Sequence, residues 1–278
     1  MAFTFPSILE YGLALTAEVF TQGFSDYFVP LPASPALLAT MARTDSVDLA
    51  VSRVALLDGV PVGAALIARR GWTSRLAGMA LVPAARGRGV GRALMDQLLA
   101  EASHRGERTM VLEVIEQNDP AVKLYESCGF EKVRRLTGHA GKPSAAPDAD
   151  VAGLREIDAR ELAQLVSAHG LPDLPWQLSA ETVAHATPPA IAFRLGASAA
   201  LISNPAAEAI GLRAIVTERD ARGRGSSLAL LRALFARFPG KEWRASAIYP
   251  EEMGPTFVAA GLARTPLSQW QMTRALGS

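Results

Sequence analysis

Two short stretches of the chain carry residue types that can grip an anion. Residues 86–91 read Arg-Gly-Arg-Gly-Val-Gly and residues 222–227 read Arg-Gly-Arg-Gly-Ser-Ser, and each opens a helical pattern. A helix start leaves backbone N–H groups unpaired and carries partial positive charge, so it attracts phosphate. Glycines let the backbone curl those groups around an anion and let the anion come close. Arg86, Arg88 and Arg92 add charge at the rim of the first turn. The turn lacks the Gly-Lys-Ser/Thr ending of a nucleotide-hydrolysing loop and the Gly-x-Gly-x-x-Gly spacing of a dinucleotide site. Taken alone, it reads equally as a phosphate cradle or as a tight strand-to-helix turn.

Either use needs a strand to deliver the turn and a helix to carry it away. A capped helix is expected over roughly Ser7–Gln22 and a second after Ser34, with the aromatic and proline-rich run GFSDYFVPLPASP between them. Strands are expected at Asp48–Leu57 and Pro61–Arg70, joined at the hairpin-favouring pair Asp58-Gly59, and at Ser74–Pro83. A helix over Gly89–Gly106, a strand at Thr109–Glu116, a short helix at Asp119–Gly129 and a strand at Phe130–His139 complete the first half. The second half repeats the plan: helices at Asp158–Ala168 and Ser179–His185, strands at Ala190–Leu195, Ala199–Ser203 and Ile210–Thr217, a helix at Gly225–Arg237, a strand at Trp243–Ile248, a short helix at Glu251–Ala260 and a last strand.

Two landmarks repeat at nearly one offset. Arg86 and Arg222 stand 136 residues apart, and Gly129-Phe130 and Gly261-Leu262 stand 132 apart, which argues for duplication. The Gly-, Pro- and Ala-rich run Gly138–Asp150 divides the halves. The expectation is an α/β (α+β) protein of two tandem domains, residues 1–139 and 151–278 about a linker at 140–150, each a mixed, mostly antiparallel twisted sheet flanked by helices.

Length and composition agree. The 278 residues are 49% hydrophobic and 20% charged, enough for two cores, and the net charge of +1 gives no basic coat for nucleic acid or membrane. One cysteine excludes an internal disulfide and fits a reducing compartment. The N-terminal run lacks a basic leader and is interrupted by Glu10 and Glu18, and no uncharged run reaches the ~18 residues of a spanning helix. These features lead to the expectation of a soluble, cytoplasmic protein.

Downstream of the first turn, Leu112–Phe130 reads LEVIEQNDPAVKLYESCGF. Together the two stretches resemble the GNAT superfamily of acetyl-CoA-dependent N-acetyltransferases. Arg86-Gly87-Arg88-Gly89-Val90-Gly91 matches its Gln/Arg-x-x-Gly-x-Gly/Ala signature. Asn118 to Phe130 nearly reproduces its later motif, Asn-x-x-Ala-x-x-Leu-Tyr-x-x-x-Gly-Phe, with Ala121 at the alanine. The resemblance covers most of residues 1–139 and the rest more faintly.

It implies attack of an amine on the thioester of acetyl-CoA, without metal, and departure of the coenzyme A thiolate. Backbone N–H groups from Arg88 to Arg92 would hold the diphosphate, and the strand end at Leu81-Val82 would hold the acetyl and pantetheine groups. Tyr125 matches the family's general acid; a phenol of pKa ~10 can donate to a thiolate whose acid has pKa ~8.5. Its other reading is a core aromatic. Asn118 either orients the cofactor or its neighbouring loop, or caps a helix. Many relatives carry a carboxylate before the Gly-rich turn, and LAGMALVP has none. Glu113, twelve residues before Tyr125, is then either a base acting through water, as the resemblance to enzymes acetylating ribosomal-protein N-termini implies, or a structural partner of an arginine. At pH 7 a lysine-like amine is neutral about once in 2,500 molecules and an α-amine about once in ten, so a weakly basic acceptor tolerates a missing base.

Asp26, Tyr27 and Phe28 lie in the loop between the first two helices, where the acceptor sits in the family, and offer a carboxylate and ring faces to a cation. The opposing reading is a solvated loop with one aromatic in the core. Cys128 reads as packing, and the four histidines show no metal-ligand spacing. In the second half the 132-residue offset sets Phe257 opposite Tyr125, Ala245 opposite Glu113 and Pro250 opposite Asn118, and Ser227 replaces the last glycine of the turn. Tyr249 is the one candidate for a replacement acid. The second domain is therefore expected to be a degenerate copy supporting an active first one. The partners expected are an amine acceptor, small molecule or protein N-terminus or lysine, in a monomer with pseudo-dimeric domains or a homodimer; the alternative function is a non-enzymatic acetyl-CoA-binding or interaction module.

Overall fold

The computed structural model describes residues 2–29, 32–144, 146 and 148–277. The chain falls into two compact units: Met1–Val114 with Asn118–Val133 and Gln271–Ser278, and Ile115–Gln117 with Arg134–Trp270. Both are mixed α/β, with sheets that are mostly antiparallel and flanked by helices.

The first unit opens with β1 (Phe3–Thr4), α1 (Ile8–Tyr11), α2 (Leu13–Gly23) and α3 (Pro35–Thr44). The helix expected over Ser7–Gln22 is thus two. Ser7 caps α1 in a reciprocal box with Glu10, but Gly12 takes φ 98 and ψ 144 and breaks the helix there. Strands β2 (Arg53–Leu57), β3 (Val60–Arg70) and β4 (Thr73–Leu81) form an antiparallel meander. Helix α4 (Val90–His104) crosses to β5 (Thr109–Ile115), which pairs with β4 in parallel, and α5 (Asp119–Ser127) follows. Buried positions on α4 recur as Val90-Gly91, Leu94-Met95, Leu98-Leu99 and Ala102, the spacing that turns one helical face to a sheet. Each such leucine contributes about 1.5–3 kcal/mol relative to exposure.

The second unit takes most of β6 (Glu131–Gly141), then β7 (Arg155–Ile157), α6 (Ala159–His169), α7 (Ala180–Ala184), β8 (Ile191–Leu195), β9 (Ser198–Ile202), β10 (Ala209–Thr217), α8 (Ser226–Arg237), β11 (Glu242–Pro250), α9 (Gly254–Ala259) and β12 (Ala263–Ala275). Its core gathers Phe193, Leu230, Leu234, Phe235, Trp243, Tyr249 and Phe257. β6 runs two residues past the expected end at His139, because it pairs with β11 from Trp243↔Gly141 to Pro250↔Leu136. The end of the chain, from Gln271, counts with the first unit, where the Leu276 N–H donates to the Arg108 carbonyl at 2.9 Å. A boundary drawn at one linker misses this, since neither β6 nor the tail carries a composition change that marks its partner.

Candidate active site

The site in the first unit begins where two strands part. β4 and β5 pair from Thr73↔Thr109 to Leu76↔Leu112, and there the ladder ends although β4 continues to Leu81. On the other edge of β4, Leu66 faces Gly78 while Ile67 faces Leu76, so Ala77 is one residue too many and bulges directly after that last rung. A bulge bends its strand and ends pairing. It opens a wedge between the end of β4, Leu81-Val82, and β5.

The Gly-rich turn heads α4 beside this wedge. A short 3-10 turn, Pro83–Ala85, leads into Gly87 at φ 72 and Gly89 at φ 81, both left-handed. Nothing lies within 4 Å of where a Cβ would stand on either, so the turn is an open cradle. The first N–H to close onto the helix is that of Ala93, on the Gly89 carbonyl at 3.0 Å; those of Val90, Gly91 and Arg92 head the helix ahead of it.

Two of the three arginines expected at the rim, Arg86 and Arg92, are engaged by protein groups. The Arg86 guanidinium reaches back to Asp26 with two bonds of 2.7 Å, and Arg92 pairs with Asp96 and donates to the Ser127 carbonyl. Asp26 is correspondingly no open carboxylate for a cation: the hydrogen bond from Arg86 holds it below its ordinary value. Arg88 is exposed at the tip of the turn. Beside α4, a cavity of about 460 Å³ is lined by Arg92, Asp96, Ser127, Cys128 and Arg274. Arg274 donates to the Cys128 carbonyl. The Cys128 thiol is buried and pushed up by that burial, which suits packing.

Asn118 and Tyr125 both belong to α5, Asn118 as its N-cap and Tyr125 in its last turn. Tyr125 is buried, with its ring edge-on to Phe130 at 6.0 Å. Burial pushes its phenol well above the ordinary tyrosine range, and Tyr27 and Cys128 add to the shift. Asn118 caps α5, its side chain accepting from the Ala121 N–H at 3.4 Å, and it is also hydrogen-bonded to Tyr27. Burial raises Tyr27 against that bond. Tyr27 is therefore the aromatic of the loop that packs inward, while Phe28 stays half exposed.

Glu113 lies just past the last rung and is ion-paired with Arg75, Nε to Oε2 at 2.7 Å, with side chains only 7% and 3% exposed. This is the geometry of a structural partner. Arg75 and Arg274 were missed in the sequence. Arg75 stands 38 residues from its carboxylate in an unremarkable strand, and Arg274 belongs to the far end of the chain. Among the described residues, no group of three or more His, Cys, Asp or Glu could hold a metal ion.

The second unit rebuilds the frame and changes the contents. β10 and β11 pair from Ala209↔Glu242 to Leu212↔Ala245, and Arg213 bulges after that rung as Ala77 does. Gly223 and Gly225 are left-handed at φ 73 and φ 79. The register corrects one correspondence: Ala245 occupies the rung of Leu112, so the counterpart of Glu113 is Ser246. One residue fewer between strand and helix accounts for the shift. Ser227, in the place of Gly91, hydrogen-bonds Thr217 at 2.6 Å, and Phe257 occupies the place of Tyr125. Tyr249 is no free acid. It is fully buried, packs on Phe257 at 5.0 Å, and donates its hydroxyl to the Leu212 carbonyl at 3.1 Å, where the strands part.

Residues 17–130 match the model of the Acetyltransferase (GNAT) family. Among curated sequences, the ribosomal protein bS18-alanine N-acetyltransferase of Escherichia coli is 48% identical over 44 residues, 16% of this chain and 30% of that protein. The matched stretch spans less than a third of the curated relatives' length. Among solved structures, a GCN5-related N-acetyltransferase from Sphaerobacter thermophilus superposes with a TM-score of 0.73 at 17% identity, over 99% of this chain and 96% of that one. A tandem GNAT protein from the clavulanic acid biosynthesis pathway superposes with a TM-score of 0.65 at 15% identity, over 100% and 99%.

Proposed function

We propose that this chain, whose residues 17–130 match the acetyltransferase (GNAT) family and whose fold is that of a tandem GNAT protein, transfers an acetyl group from acetyl-CoA to a primary amine by direct attack in a ternary complex, in the first unit. The observation that carries this reading is the open wedge after Leu76↔Leu112 with the Gly87–Gly89 cradle at its mouth and the buried phenol of Tyr125 on α5.

The residues present fit the co-substrate. The left-handed glycines leave room for an anion, and the N–H groups of residues 88–92 would hold the diphosphate. The free edge of β4 at Leu81-Val82 would take the pantetheine arm. The cavity edged by Arg92 and Arg274 suits the nucleotide end. Acetyl-CoA supplies the acyl group and a thiolate as leaving group. Tyr125, kept protonated by its burial, holds a proton for that sulfur. With Glu113 engaged by Arg75, we assign it to fixing the apex of the wedge rather than to taking a proton. The acceptor then supplies its own neutral amine, which favours a weakly basic α-amine over a lysine side chain. The E. coli relative, named for acetylating an alanine of ribosomal protein bS18, supports the same class.

Full-length protein with acetyl-CoA and a panel of amines, peptides with free N-termini included, tests the reading through thiol release. Turnover that Tyr125→Phe lowers is expected. Binding of acetyl-CoA with no turnover on any amine would leave a binding module instead.

A further inference from the structure

The loop that follows α2 is tied down at two points, and both ties fall on residues of the two sequence motifs. Tyr27 is held by Asn118. Asp26 is held by Arg86, whose guanidinium also donates to the carbonyl of Gly23, the last residue of α2, at 2.9 Å and through Nε to the Leu81 carbonyl at 3.2 Å. Four of the five N–H groups of a guanidinium are thereby engaged on protein oxygens. Helix α2 can lie this close because Gly23 has no Cβ; one would stand 2.7 Å from that of Ala80.

The second unit supplies an independent observation. Arg222, the counterpart of Arg86, has the same backbone, φ −65 and ψ 151 against −67 and 149. It too donates to the carbonyl of the last residue of a helix, His169 of α6. That unit has lost the phenol and the carboxylate of the first, yet the arginine keeps its contact. A side chain retained for phosphate would have no reason to.

We propose that Arg86 is a positioning residue for the amine acceptor and not a ligand of the diphosphate. It joins the end of β4, the end of α2 and Asp26, and so fixes residues 24–29 as the wall that carries Tyr27 to Asn118. This rests on the acetyltransferase reading, and it assigns the diphosphate to backbone N–H groups alone at this position. Arg86→Gln and Asp26→Asn should then act on the loop and on amine recognition, with little effect on coenzyme A.

The test uses full-length wild type, Arg86→Gln, Asp26→Asn and the double variant. Titration calorimetry with coenzyme A at two salt concentrations should give dissociation constants within about twofold of wild type and an unchanged salt slope, since no phosphate contact is removed. Hydrogen exchange across residues 24–29 should rise about tenfold in each single variant and no further in the double variant, the signature of one shared contact. The KM for the best amine of the panel should rise while coenzyme A affinity holds. Coenzyme A binding weakened tenfold or more in Arg86→Gln, with a shallower salt slope, overturns the proposal, as does unchanged exchange in the loop. If wild type binds no coenzyme A, the acetyltransferase reading falls by itself, and exchange in the two variants still decides the anchor.

Discussion

Arg75 and Glu113 form a buried ion pair across two strands at the point where those strands separate, Nε to Oε2 at 2.7 Å, flanking the last rung, Leu76↔Leu112. Removing one member of such a pair leaves the other as an uncompensated buried charge. Glu113→Gln is therefore expected to lower unfolding free energy by about 3–5 kcal/mol in urea titration. A variant of wild-type stability whose pH–rate profile has lost its alkaline rise would identify Glu113 as a base.

Tyr125→Phe removes a proton donor and little volume. Turnover should fall by about 10²–10⁴ with coenzyme A affinity retained. Unchanged turnover would take the phenol out of the reaction.

The pH dependence follows from the same residue. The active form of Tyr125 is protonated and its pKa is raised, so raising pH does not discharge it in the range where an α-amine titrates. The rate with a peptide N-terminus should climb to a plateau above pH ~8 and stay level to pH ~10. For stability the sign is the reverse of a benefit at high pH. The unfolded phenol ionises near pH ~10 while the folded one does not, so stability is constant below that pH and falls as pH rises beyond it. A decline in rate already between pH 8 and 9 with an intact fold would contradict the assignment.

Gly89 and Gly225 hold matching left-handed positions, φ 81 and φ 79. Replacement of either by alanine should cost about 1–2 kcal/mol. Equal costs are expected in denaturant titration, with coenzyme A binding weakened only by the change at Gly89. Loss of coenzyme A binding in Gly225→Ala would give the second unit a cofactor role.

Tyr249→Phe strands the buried Leu212 carbonyl and should cost about 1–3 kcal/mol without changing turnover. Lost turnover in a folded variant would show that Tyr249 acts in the reaction.

The motifs were readable because their chemistry is local. A left-handed Gly89, a cap at Asn118 and a phenol in the last turn of α5 are each specified by a few neighbouring residues, and α4 by its four-residue apolar spacing. Pairings across the fold were not. The partner of Arg86, Asp26, is 60 residues away, and the arginine that one of the two readings of Glu113 called for, Arg75, is 38 residues away, so neither pairing is marked locally. The split at Gly12 was missed because the apolar pattern runs on through a residue whose backbone does not. The two-residue β1 and three-residue β7 are too short to show a period. The one-residue shift that sets Ser246 opposite Glu113 is visible only in the ladder.

The central claim is that the backbone cradle at Gly89 holds the acyl donor, and calorimetric titration of coenzyme A into full-length wild type and Gly89→Asp tests it most directly. Aspartate tolerates a left-handed backbone but sets a negative charge in the cradle. The expected result is one equivalent bound per chain by wild type and affinity reduced about a hundredfold or more in the variant. No binding to wild type, or equal affinity in the folded variant, would contradict the account.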